Sequence, residues 1–275
     1  MKIFISADME GCTGVTTGDD VRPGKASYER FRKLLTRDVN SAIRGAYDAG
    51  ANEVLVNEAH NGMRNILIEE LDPKARIISG FEGKDLCMME GINDFFDAAF
   101  LIGYHARAGT EKAILSHTLF GGIYNFWIND VLVGETGISA LLAGHFNVPV
   151  TLISGDDKVV REASDLLGNI ESAVVKKAIS RYSADCLTPD ESSMLIREKA
   201  RSSLENLKDY SPYIVESPVN IEVEFTSVDM AEYASSIPGI NRKDSRTISL
   251  ESDNVSSAWS LVWPGIFFAI SATRK

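Results

Sequence analysis

The sequence predicts an α/β protein with a mixed, mostly parallel sheet and helices on both faces, followed by a smaller C-terminal α+β subdomain. Three observations predict it. Short apolar runs of strand length alternate with stretches of helical period through the first two thirds of the chain. The first of these runs is continuously apolar, as in a strand covered on both faces. Near Cys186 the texture changes, and beyond it come a capped helix, strands of period two and a last apolar helix.

The elements follow in order. Lys2 to Ala7 is a strand with Ile3, Phe4 and Ile5 at its centre. Ser27 to Ala49 carries Phe31, Leu35, Val39, Ala42 and Ala46 at steps of three and four, and Gly50 stands where a helix stops. "NEVLVNEAH", "ARIISG" and "DAAFLIGYH" are three further strands, the last ending at His105. "YNFWINDVLVGETG" reads as a hairpin turning at Asn129-Asp130, with a helix over Ile138 to His145 behind it. "VPVTLISGDD" is a strand whose Asp156 or Asp157 caps the helix "KVVREASDLL", and "SAVVKKAI" closes the series. Thr188 to Glu191, "TPDE", is a capping box with proline at the first helical position, opening a helix that runs toward Lys208. "VNIEVEF" and "SRTISLES" are the late strands. The change of texture places a boundary near 187: residues 1–187 form the α/β metal-binding catalytic domain and 188–275 a subdomain suited to oligomerisation.

Composition narrows the class of function. The chain has 275 residues, 44% hydrophobic and 24% charged, as ordinary globular proteins have. A formal charge of −11 speaks against nucleic acid or an anionic membrane as partner. Cys12, Cys87 and Cys186 form neither a CxxC pair nor a disulfide framework, and no signal peptide precedes the first strand, so the expected location is the cytoplasm. Leu261 to Ala272 is the most apolar run, but it is too short to span a bilayer and is read as core.

The candidate chemistry lies at the strand ends. Asp8 and Glu10, in "SADMEG", stand two apart, so an extended chain puts both carboxylates on one face. Such a pair is costly unless something positive lies between its members. His60, His105 and Glu135 also follow strand candidates, and in open α/β sheets ligands bind at the carboxyl ends of strands. Imidazole and carboxylate are zinc ligands. If Asp8 bridges two ions, the five residues supply three bonds to each ion, and three carboxylates with one hydroxide balance the charge. Two metals about 3.5–4 Å apart would activate water and polarise a carbonyl together. His117, in "LSHTLFGG", has no carboxylate near it in sequence. It is either a buried loop histidine or a group that moves a proton, attacks, or stabilises the transition state beside the metals. His145 reads as a helix C-terminal cation, and helix capping accounts for Asp156 and Asp157. There is no phosphate-binding glycine loop and no GxSxG nucleophile elbow.

"SADMEG", "VLVNEAH", "GYHA", "SH", "INDVLVGETG" and "ISGDD", in this order and spacing, resemble the zinc-dependent D-aminopeptidase family, the self-compartmentalising enzymes of dipeptide-transport operons. The resemblance runs from residue 1 to about 185 and more weakly beyond. It implies Asp8, Glu10, His60, His105 and Glu135 as ligands of two zinc ions, with Asp8 bridging, and His117 as the catalytic nucleophile. It also implies hydrolysis of N-terminal D-amino acids from short peptides, and a homo-oligomeric ring, decameric in the family, enclosing the active sites. The expected function is therefore a dinuclear zinc aminopeptidase. The rival readings are another metal-dependent amide or phosphoester hydrolase, and a non-catalytic, metal-stabilised peptide-binding protein.

Overall fold

A computed structural model describes residues 1–272. The chain runs β1 (Lys2–Ala7), α1 (Tyr28–Asp48), β2 (Glu53–Glu58), β3 (Ala75–Ile78), β4 (Ala98–Tyr104), β5 (Ile123–Ile128), β6 (Val131–Val133), α2 (Glu135–His145) and β7 (Val150–Asp156). It continues through α3 (Asp157–Leu167), β8 (Glu171–Ser180), β9 (Ser183–Cys186), α4 (Pro189–Glu205), β10 (Val219–Phe225), α5 (Val228–Ala234), β11 (Asn241–Arg242), β12 (Thr247–Ser252) and α6 (Val255–Ser271).

Two sheets form. The larger has seven strands in the order β3-β2-β1-β4-β7-β8-β9, parallel throughout except for β9, which turns back antiparallel on β8. The chain starts in the middle of this sheet, builds outward to β2 and β3, then crosses to β4 and builds the other way. The carboxyl ends of β1 and β4 therefore flank a topological switch point, the crevice where α/β sheets take ligands. The smaller sheet is antiparallel, with the order β11-β12-β10-β5-β6.

Every residue of β1 from Ile3 to Ala7 is buried, and because side chains alternate between faces the large sheet needs cover on both sides. Ile3 and Ile5 point into one apolar cluster with Phe31, Leu35 and Val39 of α1 and Ile196 of α4. Phe4 points the other way, into a cluster that holds Leu141 of α2, Val223 of β10 and Trp259 of α6. Fully buried side chains of this size contribute roughly 1.5–3 kcal/mol each.

The sheets do not divide at residue 187. The hairpin β5-β6 pairs with β10 in the small sheet, and α4 packs on α1 and β8 against the large one. The reason is pairing partners: β10 exposes a free edge that only the hairpin fills, about a hundred residues earlier in the chain. The α6 helix runs through Pro264 without a break, and Trp259 Nε1 donates to Asp85 O at 2.9 Å, so the C-terminal segment shares a core with the first part. The hairpin turn has positive φ at both Asn129 (44°) and Asp130 (66°), the geometry of a type I′ turn. The Thr188 capping box is present, and the helix it opens ends at Glu205 rather than near Lys208. Among the described residues no helix is long and apolar enough to cross a membrane.

Candidate metal centre

The end of β1 passes very close to the end of β4. Asp8 N donates to Ile102 O and Gly11 N to Gly103 O, both at 2.8 Å. A Cβ on Gly11 would lie 1.8 Å from Tyr104 O, and one on Gly103, at φ +72°, would lie 2.3 Å from Asp8 O. Only glycine permits this crossing, and the crossing sets Asp8 and Glu10 beside His105.

Of the five strand-end candidates, Asp8, Glu10, His60 and His105 lie where β1, β2 and β4 end. Glu135 arrives differently. It is the first residue of α2, entering from the small sheet's hairpin after β6 ends at Val133. The helix N-terminus favours its charge there. His60 Nδ1 is 2.8 Å from Glu10 Oε2 and 3.4 Å from Asp8 Oδ1. His105 Nε2 is 3.3 Å from Glu135 Oε1 and 3.5 Å from Asp8 Oδ2. His117 comes from the loop before β5, its ring stacked on that of His105 with centroids 4.1 Å apart and its Nε2 3.8 Å from Glu135 Oε1.

Each of these three imidazoles is turned by a backbone carbonyl. His60 Nε2 bonds Val21 O at 2.9 Å, His105 Nδ1 bonds Ala106 O at 3.0 Å and His117 Nδ1 bonds Leu115 O at 2.9 Å. Since a carbonyl only accepts, the outer nitrogen carries the hydrogen and a neutral ring presents its lone pair inward, the orientation metal-binding histidines adopt.

The inward atoms are left wanting. Asp8 Oδ2, Glu10 Oε2 and His105 Nε2 are buried and have no hydrogen-bond partner. The nearest cationic group to Glu10 is the His60 ring, with Nδ1 at 2.8 Å from Oε2. Burial, with Glu10 alongside, pushes the Asp8 carboxyl up to about 7. Burial opposes the charges on Glu10, His60 and His105 too, but their mutual attraction wins. Glu10 is held well below the usual carboxylate range, and both histidines well above theirs. Three buried carboxylates thus call for positive charge, which divalent cations would supply. Ligand atoms of Asp8, Glu10 and His105 lie within 4.8 Å of one another, as do those of His105, His117 and Glu135. Nitrogen and carboxylate oxygen donors in this arrangement fit zinc. A cavity of about 430 Å³ opens directly onto the cluster.

Two buried residues that hold the site escaped the sequence reading. Lys176 of β8 donates from Nζ to Glu10 O at 2.7 Å and to Cys12 O and Val15 O at 2.8 Å, so one ammonium clamps the loop that carries Glu10. Asp38 of α1 receives both the N–H and the hydroxyl of Thr13 at 2.9 Å. Lys176 left a trace in the sequence: adjacent residues of a strand point to opposite faces, so of the two neighbouring lysines Lys176 turns inward and Lys177 stays exposed. Asp156 caps α3 through Oδ1, and its Oδ2 accepts from Ile114 N at 2.7 Å, steadying the loop that leads to His117. His145 ends α2, with its ring edge-on to Phe146, away from the centre.

A donor cluster of this kind, at a sheet switch point and open to a cavity, has the make-up of a hydrolytic metal centre. Comparison with known proteins narrows the class: a family model described as D-aminopeptidase matches residues 1–263, and the chain belongs to that family. It is 39% identical over 247 residues to a D-aminopeptidase of Bacillus subtilis strain 168, covering 90% of this chain and 89% of that one. Its fold superposes with a TM-score of 0.95 and 36% identity on the zinc-dependent D-aminopeptidase DppA from Bacillus subtilis, described as a self-compartmentalizing protease, covering 98% of each chain.

Proposed function

We propose that this protein is a cytoplasmic, dinuclear zinc aminopeptidase that removes N-terminal D-amino acids from short peptides and works as a closed homo-oligomer. The observation that carries the reading is the set of buried, unpartnered atoms Asp8 Oδ2, Glu10 Oε2 and His105 Nε2, all turned to one point. Asp8, Glu10, His60, His105 and Glu135 would hold the two ions, with Asp8 shared between them. Bound zinc supplies Lewis acidity for the scissile carbonyl and an activated water.

The chain's own groups do the rest. His117, with Nδ1 tied to Leu115 O, keeps Nε2 free toward the cavity, where it takes up and delivers a proton to the departing amine. Burial and the neighbouring His105 lower its pKa, which favours the neutral, proton-accepting form. Leu119 N donates to Glu135 Oε1 at 2.7 Å, fixing that carboxylate relative to the His117 loop. Phe81, Met63 and Trp263 form an apolar wall that keeps water from the substrate side chain. Oligomerisation falls to the small sheet and α6, the part of the C-terminal segment that leaves aromatic side chains exposed.

The test is a panel of dipeptides with D or L residues at the N-terminus, assayed before and after chelation. Cleavage of the D series, lost with chelator and restored by zinc, is expected. Hydrolysis that ignores chelator, or a strict L preference, would overturn the reading.

A further inference from the structure

The cavity over the metal centre has a cationic side that the chemistry above leaves unused. Arg22 and Arg181 both line it. The chain carries 39 acidic and 28 basic residues, so a surface arginine has a surplus of carboxylates to choose from. Yet among the described residues neither guanidinium is paired with an acid. Arg22 lies over Gly18, its Cζ 3.8 Å from where a Cβ would stand, and meets no hydrogen-bond acceptor among the described residues. Arg181 spends Nη1 on Ser116 O and Oγ, at 2.6 and 2.7 Å, and Nε on Tyr182 Oη at 3.2 Å.

Both arginines are anchored one residue away from the centre. Arg22 follows Val21, whose carbonyl holds His60. Arg181 grips Ser116, which precedes His117, and its own carbonyl accepts from Leu115 N at 3.1 Å. The same cavity of about 430 Å³ is thus lined by the carboxylate cluster and by both arginines. A peptide residue spans at most about 3.3–3.6 Å, so a cavity of this size suits a substrate that ends soon after the scissile bond.

We propose that Arg22 and Arg181 form a subsite for the free C-terminal carboxylate of the substrate, so that a peptide with a free C-terminus is favoured over the same peptide with its C-terminus blocked. The proposal rests on the aminopeptidase reading. Guanidinium groups bind carboxylates through paired, charge-assisted hydrogen bonds, and an exposed site of this kind is worth about tenfold in affinity. A C-terminal amide keeps the shape of the substrate and removes the charge.

The experiment compares kcat/KM for D-Ala-D-Ala and its C-terminal amide with the zinc-loaded wild type, Arg22→Gln and Arg22→Glu. The wild type should favour the free acid about tenfold, mainly through KM. Arg22→Gln should bring the ratio close to one, and Arg22→Glu should turn it toward the amide, a reversal that a merely structural role would not produce. Equal use of acid and amide by the wild type, or a preference that survives both substitutions, overturns the subsite and leaves the aminopeptidase reading standing. Failure to cleave either peptide overturns both.

Discussion

The imidazole rings of His105 and His117 lie nearly parallel, 9° apart, with 4.1 Å between their centroids, yet they are positioned for different work. His105 is buried at the end of β4 and faces two carboxylates. His117 is a quarter exposed, faces only Glu135 and borders the cavity. Their replacement should therefore separate metal binding from proton transfer. His105→Ala or His60→Ala is expected to lower bound zinc from near two equivalents per chain, and the rate with it. His117→Ala should keep its zinc while kcat falls by about 10²–10⁴. Metal analysis beside steady-state kinetics decides, and loss of zinc in the His117 variant would make that residue a ligand.

Lys176 offers a test of how the Glu10 loop is held. Lys176→Met keeps much of the volume but strips three carbonyl oxygens of their donor inside the protein. Leaving a buried acceptor without its donor costs about 1–3 kcal/mol, and loosening a ligand's support typically weakens metal binding by about 10–100-fold. Urea unfolding should show the first effect and a competition assay with a zinc chelator the second. Unchanged zinc affinity would confine Lys176 to stability alone.

Asp38 predicts a pH effect on stability. Burial raises its carboxyl from 3.8 to about 6, in spite of the two hydrogen bonds from Thr13. The folded protein thus holds this proton more tightly than the unfolded chain does. Its contribution is fully present below the unfolded value and is lost as pH rises through about 6, for a total of about 3 kcal/mol. Asp38→Asn carries no charge at any pH and should lack that loss. Stability measured for both proteins at pH 4 and pH 7 should diverge by this amount, and a constant difference would show that Asp38 does not titrate in that window.

Much of the site could be read from the sequence because it obeys local rules. Strand ends in an α/β protein converge by topology, so position alone brings Asp8, Glu10, His60 and His105 to one place. Caps at Asp156 and Thr188 follow from short-range hydrogen bonding. Glu135 reaches the same place by another route than a strand end of the large sheet: it opens a helix. The antiparallel pairing of Ile123–Ile128 with Val219–Phe225 depends on contacts about a hundred residues apart, which local pattern does not encode. Lys176 and Asp38 act on partners far away in the chain, Glu10 and Thr13, which local pattern does not specify.

The last prediction concerns assembly. The C-terminal aromatics divide into two groups. Trp259 is buried in the shared core with Trp263 stacked on it at 5.7 Å, whereas Phe267 and Phe268 are 43% and 49% exposed on α6. Phe267 also stacks on Phe81, which borders the cavity, so the exposed aromatic surface is continuous with the rim of the site. A neighbouring chain on this surface would bury the aromatics and narrow the entrance together, as in an apolar obligate interface. Closed symmetry would then place the active sites around an internal space that admits short peptides and excludes folded or long chains. Light scattering at low micromolar concentration should report a mass several times 30.1 kDa. Phe268→Glu should reduce that mass, and trimming of a denatured protein should rise as the assembly opens. A fully active monomer would remove the assembly claim, and rapid trimming of long unfolded chains by the intact oligomer would remove the size limit.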